Sequence, residues 1–296
     1  MSKLLKKQQV TTMKQDNTTQ ELSDSLLIDS PLGKETTYHG NYNPSLLFAI
    51  PRTAGRKSIG LGPELPFEGV DIWTGYELSW LNNKGKPQIA MAEFQIPCTS
   101  TNIVESKSFK LYLNSFNQSR FDSFESVNDA LETDLSAAAA GSVTARLILP
   151  EQFAQQRLIE FTGLCIDNLD IDVDTYNEIS PTFLKANEHE IEEKIYSHLL
   201  KSNCPVTGQP DWATLFIHYK GKQIDHPGLL KYIISFRNHH GFHEQCVEKI
   251  YLDLMHHCHP RELSVYARYT RRGGLDINPF RSSIQATPPR VRLCRQ

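Results

Sequence analysis

The sequence predicts an α+β fold: two tandem copies of one unit, each an antiparallel sheet with paired helices on one face. Three observations carry this. YELSWLNNKGKPQIAMAEFQI (76–96) reads as strand, turn, strand, and IYSHLLKSNCPVTGQPDWATLFIHY (195–219) has the same shape. Three segments then recur at nearly one offset. Pro87 aligns with Pro210 at 123 residues, LYLNSF (111–116) with KYIISF (231–236) at 120, and VTAR (143–146) with VYAR (265–268) at 122. Between the last two matches both copies carry helical spacing: Phe124, Val127, Leu131 and Leu135 in one, Cys246, Val247, Ile250, Tyr251 and Leu254 in the other.

Taken in order, residues 1–28 are rich in Ser, Thr, Gln and Lys and are expected to form a disordered arm. Residues 29–180 make the first half: a hairpin turning at NKGKP, a helix opening in ESKSFKLYLNSF (105–116), a second helix, then a strand. Residues 181–296 make the second half: a hairpin turning at CPVTGQP, a helix at KYIISF, another opened by FHEQC (242–246), and the VYAR strand. Each half is expected to end on a further strand. The basic, Pro-containing run 281–296 is expected to be an irregular extension packed on a partner subunit. Antiparallel sheets of this kind have open edges, and closure through association protects them, so a homo-oligomer, taken as a homodimer, is expected.

Composition removes several function classes. A net charge of −3 gives no excess for direct nucleic-acid binding. No apolar run approaches the roughly 18 residues of a membrane span. No secretory leader is visible, which places the six cysteines, reduced, in the cytoplasm. No C-x-x-C pair marks a structural zinc site. There is no Walker A motif, and GLGPEL (60–65) begins as G-x-G but lacks the third glycine of a dinucleotide loop.

The candidate chemistry lies in four motifs. In CPVTGQPD (204–211), Cys204 is either a spare thiol at a strand end or a nucleophile presented by a loop. Asp211 is either a turn cap or a proton donor for whatever the sulfur attacks. In FHEQC, His243 and Glu244 either cap a helix or line a pocket in which Glu244 reads the N–H edge of a heterocycle. In ESKSFK, Lys107 and Lys110 flank hydroxyls at a helix start, an anion site or a solvated face. In RYTRRGG (268–274), paired Arg before paired Gly suits a phosphate or makes a basic turn. The HHCH cluster (256–259) looks like a metal set but sits at a helix end, where His is favourable beside the last carbonyls.

Together, CPVTGQPD, ESKSFKLYLNSF, SFRNHHGFHEQC and YARYTRRGGLDINPFRS closely resemble the signatures of the NADPH-dependent 7-cyano-7-deazaguanine reductase (QueF) family, in its long two-domain form. The resemblance runs from about residue 32 to the end. It implies two tandem tunnelling-fold (T-fold) domains and a nitrile reductase of queuosine biosynthesis, a tRNA-modification route. It implies that Cys204 attacks the nitrile carbon to give a thioimide and that Asp211 serves the nitrogen with a proton. It implies that Val104, Glu105, Ser106, His243 and Glu244 hold the deazapurine, and that Ser106, Lys107, Arg272 and Gly273 hold NADPH, used twice per turnover, with no metal required. Two rival readings keep the fold: a pterin-type cyclohydrolase with zinc on Cys204, His243 and Cys246, and a non-catalytic purine-binding module. Cys246 lies two residues beyond Glu244 on the same helix start, and a sulfur facing Cys204 from there would allow a protective disulfide.

Overall fold

The computed structural model describes residues 40–296, so the expected arm at 1–28 lies outside the described residues. The chain enters through β1 (Ala49–Pro51) and α1 (Arg52–Ser58). A first hairpin, β2 (Glu68–Leu81) and β3 (Pro87–Pro97), is followed by β4 (Asn102–Val104), α2 (Ser106–Ser115), α3 (Phe124–Ala139) and β5 (Thr144–Ile148). After a connecting segment with β6 (Leu164–Cys165), the second half repeats the plan. It runs through β7 (Ala186–Asn203), β8 (Pro210–Ile224), α4 (His226–Ser235), α5 (His243–Cys258), β9 (Glu262–Tyr269) and β10 (Leu275–Ser282).

Both hairpins belong to one eight-stranded sheet, ordered β5-β3-β2-β10-β9-β8-β7-β6. The halves join where β10, the last strand of the second, lies antiparallel on β2, the first strand of the first, from Leu275 opposite Gly75 to Ser282 opposite Glu68. The helices bury the stripes that the sequence marks. Val127, Leu131 and Leu135 pack with Phe94 and Phe109, and Val247, Ile250 and Leu254 pack with Leu215 and Tyr219. Phe124 is the exception: it is partly exposed and meets Trp80 edge-on at 5.6 Å.

Several sequence expectations need correction. The strands start earlier than their apolar patterns, at Glu68 and Ala186. The opening of β7, Asn187 to Glu190, is exposed and polar, so backbone pairing extends where no apolar alternation marks it. The first half lacks its expected final strand: after β5 the chain crosses over and β6 pairs, in parallel, with β7. Phe161 and Ile166, from the connecting segment, pack in clusters that also hold residues of both halves, among them Ile72 and Phe216, and Cys98 and Ile217. The run 281–296 is irregular beyond Ser282, as expected, but it packs on its own chain. It begins inside β10, and Leu293 then packs on the chain's own sheet with Phe161, Phe216 and Tyr266. Gln296 is buried there, accepting from Arg268 Nε at 2.7 Å and donating to Asn278 at 2.9 Å.

A charged cluster with no sequence signature fastens the joint. Arg281 of β10 is completely buried, with Asp71 of β2 at 2.7 Å and Glu248 of α5 at 2.8 Å. Arg52 and Arg56 of α1 complete it, at 2.6 Å from Asp71 and 2.7 Å from Glu248. Among the described residues, no helix is long and apolar enough to cross a membrane.

Candidate active site

Cys204 leaves β7 into a six-residue loop that closes on itself. Its N–H donates to Gln209 O at 2.8 Å, and Gly208 N–H, in the left-handed region at φ 66°, returns to Cys204 O at 3.0 Å. Asn203 is tied to the loop before α5, donating to His239 O and accepting from Gly241 N–H. The thiol is therefore held between the hairpin turn and the start of α5. Asp211, paired with Ser202 across the hairpin, is 4% exposed. Both side chains line one cleft, with Trp73, Ile103, Val104, Ser106, Phe242, His243, Glu244 and Arg272. A single chain thus supplies walls from both halves, because β10 on β2 brings the start of α2 to the hairpin turn.

The carboxylate of Asp211 is clamped. Arg272 Nε lies 3.0 Å from its Oδ1, and Arg272 Nη1 also donates to Gln209 at 2.7 Å, binding the thiol loop to the β9–β10 turn. That turn needs its glycines: Gly273 and Gly274 sit at φ 58° and 78°, which suits a two-residue hairpin of the primed type. His243 stacks on Tyr269 at 3.9 Å, and its Nε2 approaches Asp211 Oδ1 at 3.3 Å without forming an aligned hydrogen bond. Among the described residues, His243 Nε2 and Trp73 Nε1 are buried with no hydrogen-bond partner. Buried polar atoms are rarely left so. A ligand with donors and acceptors in this cleft would satisfy them.

Glu244, also 4% exposed, opens α5. Burial pushes its carboxyl up, the nearby Asp71 charge adds to this, and Arg52 and His243 oppose it. Such a group gains from a ligand that donates hydrogen bonds to it. Glu105 behaves differently from its expected place on the pocket wall. Its carboxylate caps α2, accepting from the N–H groups of Lys107 at 2.6 Å and Ser108 at 2.7 Å, and burial again pushes it up. The wall there is made by Ile103, Val104 and Ser106. The free amides expected to hold an anion at this helix start are already occupied by Glu105.

Of the residues expected to hold NADPH, Ser106 and Arg272 reach the cleft, with Lys107 and Gly273 next to them in the chain. A Cβ at Gly273 would come 3.2 Å from the stem of Lys110, so Lys110 lies against the glycine turn. Burial pushes its ammonium down, and the adjacent Arg272 adds to this. Two cations crowded beside a glycine turn fit a phosphate-bearing co-substrate. Cys246 is wholly buried and does not line the cleft. Burial pushes its thiol up to about 12, and the hydroxyls of Ser202 and Tyr269 are its neighbours. Among the described residues, the donor atoms of Cys204, His243 and Cys246 do not converge into a metal group, nor do those of HHCH. Cys258 instead enters the core, and His259 caps α5 in the left-handed conformation. Sequence reasoning missed Trp73, Gln209 and Tyr269. Gln209 and Tyr269 lie inside the quoted motifs but nothing local shows their contacts, and Trp73 lies in no motif, because its place depends on pairings made across the sheet.

A thiol, a carboxylate and an imidazole line one small cleft, the groups that thiol chemistry draws on. Comparison with known proteins narrows the class. Residues 38–147 match the family model described as nitrile reductase, 7-cyano-7-deazaguanine-reductase N-term, and residues 210–288 match that described as QueF-like protein. A protein of Burkholderia multivorans named NADPH-dependent 7-cyano-7-deazaguanine reductase is 59% identical over 270 residues, covering 90% of this chain and 98% of its own. A like-named protein of Burkholderia cenocepacia is 58% identical over 272 residues, with the same coverage. Among solved structures, the apo form of the archaeosine synthase QueF-Like matches 35% of this chain and 100% of its own, at 17% identity and a TM-score of 0.29. The chain belongs to the NADPH-dependent 7-cyano-7-deazaguanine reductase family of oxidoreductases and carries its two T-fold domains in tandem.

Proposed function

We propose that this chain reduces the nitrile of 7-cyano-7-deazaguanine to the aminomethyl group through a covalent thioimide on Cys204, as a step of queuosine biosynthesis. The observation that carries this reading is the convergence of Cys204, Asp211, His243 and Glu244 from one half with Val104 and Ser106 from the other. A nitrile is a poor hydride acceptor. Addition of the Cys204 sulfur to its carbon, with the thiol proton taken up by the Asp211 carboxylate and passed to the nitrogen, gives a thioimide that accepts hydride more readily. Departure of the sulfur after the first reduction leaves an imine, and a second reduction gives the amine. NADPH supplies both hydrides when bound, with Ser106, Lys107, Lys110, Arg272 and Gly273 as the residues that would hold it. Arg272 and His243 orient Asp211, and the walls keep water from the imine.

In this reading the deazapurine is the only substrate besides NADPH, the reaction requires no metal, and the protein works in the cytoplasm without membrane or direct nucleic-acid contact. A homodimer is part of the proposal. The sheet ends on β5, whose outer edge pairs with no described strand. The test is to mix protein and nitrile, weigh the chain, then follow NADPH absorbance. A mass gain equal to the ligand and two NADPH oxidised per amine are expected. Tight binding without an adduct would instead indicate a purine-binding module.

Glu244→Gln separates binding from folding. It replaces one of the two carboxylate acceptors facing a buried heterocycle edge with an N–H₂ donor, so KM should rise by about 10- to 100-fold, or roughly 1–3 kcal/mol. The folded-state pKa of Glu244 is raised, so its ionisation opposes folding above the ordinary carboxyl range. The neutral amide removes that opposition, and the melting temperature at pH 7 should go up. An unchanged KM would remove Glu244 from the substrate site.

A further inference from the structure

We propose that Cys165, Asp167 and His198 form a zinc site that clips the segment between the two halves onto the second half, separate from the reductase cleft. Their donor atoms lie within 4.8 Å of one another, the one such group among the described residues. Cys165 ends β6, which pairs with β7 beside Tyr196. His198 sits in β7 where the register against β8 shifts between Ser197 and Leu200, an irregularity of the kind that re-aims a side chain.

Each donor is already oriented. Asp167 uses Oδ2 to accept the His198 N–H at 2.9 Å, while its Oδ1 is buried with no hydrogen-bond partner. The ring of His198 is fixed by Thr214 Oγ1, 2.9 Å from Nδ1. Support of this kind from a second group is how proteins aim a metal-binding imidazole. The hydroxyl of Tyr196 lies at the Cys165 sulfur. The nearby cation, Arg295, is bound to neutral oxygens, the His198 carbonyl at 2.9 Å and Thr214 Oγ1 at 3.2 Å.

Thiolate, imidazole and carboxylate together select zinc over calcium or magnesium. Three protein ligands leave a fourth position for water. Bonds of about 2.0–2.3 Å put tetrahedral donors roughly 3.5 Å apart. The half-buried side chains therefore need to close by about 1 Å. Binding forms the zinc–sulfur bond and releases the thiol proton to solvent, so affinity falls as pH is lowered. The metal would stabilise the fold by holding residues 164–167 on β7, and the hydride chemistry makes no use of it.

The test is titration of the chelator-treated, full-length, reduced protein with Co²⁺. One Co²⁺ per chain should bind with a thiolate-to-cobalt charge-transfer band, Zn²⁺ should displace it, and the melting temperature should rise. Cys165→Ser and His198→Ala should abolish the band, while Cys204→Ala and Cys246→Ala should keep it. Asp167→Asn, the mildest change, should keep the fold and weaken Co²⁺ binding by about tenfold or more. The site is overturned by the absence of saturable one-to-one uptake, by a band that survives Cys165→Ser, or by a band lost in Cys204→Ala.

Discussion

Cys204→Ala should form no covalent adduct with the nitrile and should oxidise NADPH at least about 10⁴-fold more slowly than the parent chain. The loop is held by backbone bonds from Cys204 N to Gln209 O and from Gly208 N to Cys204 O, neither of which uses the sulfur. Alanine therefore keeps the turn, and its melting temperature should stay close to that of the parent. Ligand affinity should also survive, since Glu244, His243 and the Val104 wall are untouched. The loss is then chemical: without sulfur addition there is no activated acceptor for hydride. Asp211→Asn is the companion. It keeps the shape beside Arg272 but cannot deliver a proton, so the adduct should form slowly, with turnover reduced on the order of 10²-fold. Cys204→Ala turnover within tenfold of the parent would overthrow the nucleophile.

Much of this site is legible in the sequence because it is local. CPVTGQPD contains its own turn chemistry, and the pairing of Ser202 with Asp211 follows from the hairpin. The repeat is legible for the same reason: strand, strand, helix and helix each leave a short-range pattern, and both copies keep it. The opposite holds where distant segments meet. Residues Asp71 to Tyr76 of β2 are all buried, because the sheet is covered on both faces there, so no alternation separates the face that holds Trp73. The contact of β10 with β2 spans some 200 residues and has no sequence sign. Glu105 shows a finer limit. ESKSFK reads as an anion site because its helix start is free on paper, whereas the residue just before the helix supplies the anion itself.

Arg281→Met should destabilise the chain by about 3–5 kcal/mol, because it leaves two buried carboxylates facing each other without the cation between them. Arg281 and Asp71 are fully buried and Glu248 nearly so, and Arg52 and Arg56 each reach only one of the two acids. Desolvation is the largest single influence on Asp71 and pushes its carboxyl up, but Arg281 and Arg52 outweigh it and hold the group below its ordinary range. Glu248 is held low in the same way, by Arg281 and Arg56 against desolvation. The sign follows. Depressed carboxyl values mean stability that is fully present above the ordinary values, about 4, and lost as pH falls through the lowered ones. The parent should therefore lose stability on acidification, and Arg281→Met should lose it less steeply from a lower starting point. At about 2–4 °C per kcal/mol for a chain of this size, the melting temperature should drop by roughly 10 °C at pH 7. Activity should fall with it, since the joint of β2, β10 and α5 sets the distance between Val104 and Glu244 across the cleft. Arg281→Lys restores the charge without the two-sided fork and should recover only part of the loss. Thermal melts from pH 4 to 8 decide the matter: a change under about 1 kcal/mol with an unaltered pH slope would show that the two halves are held by the strand pairing alone.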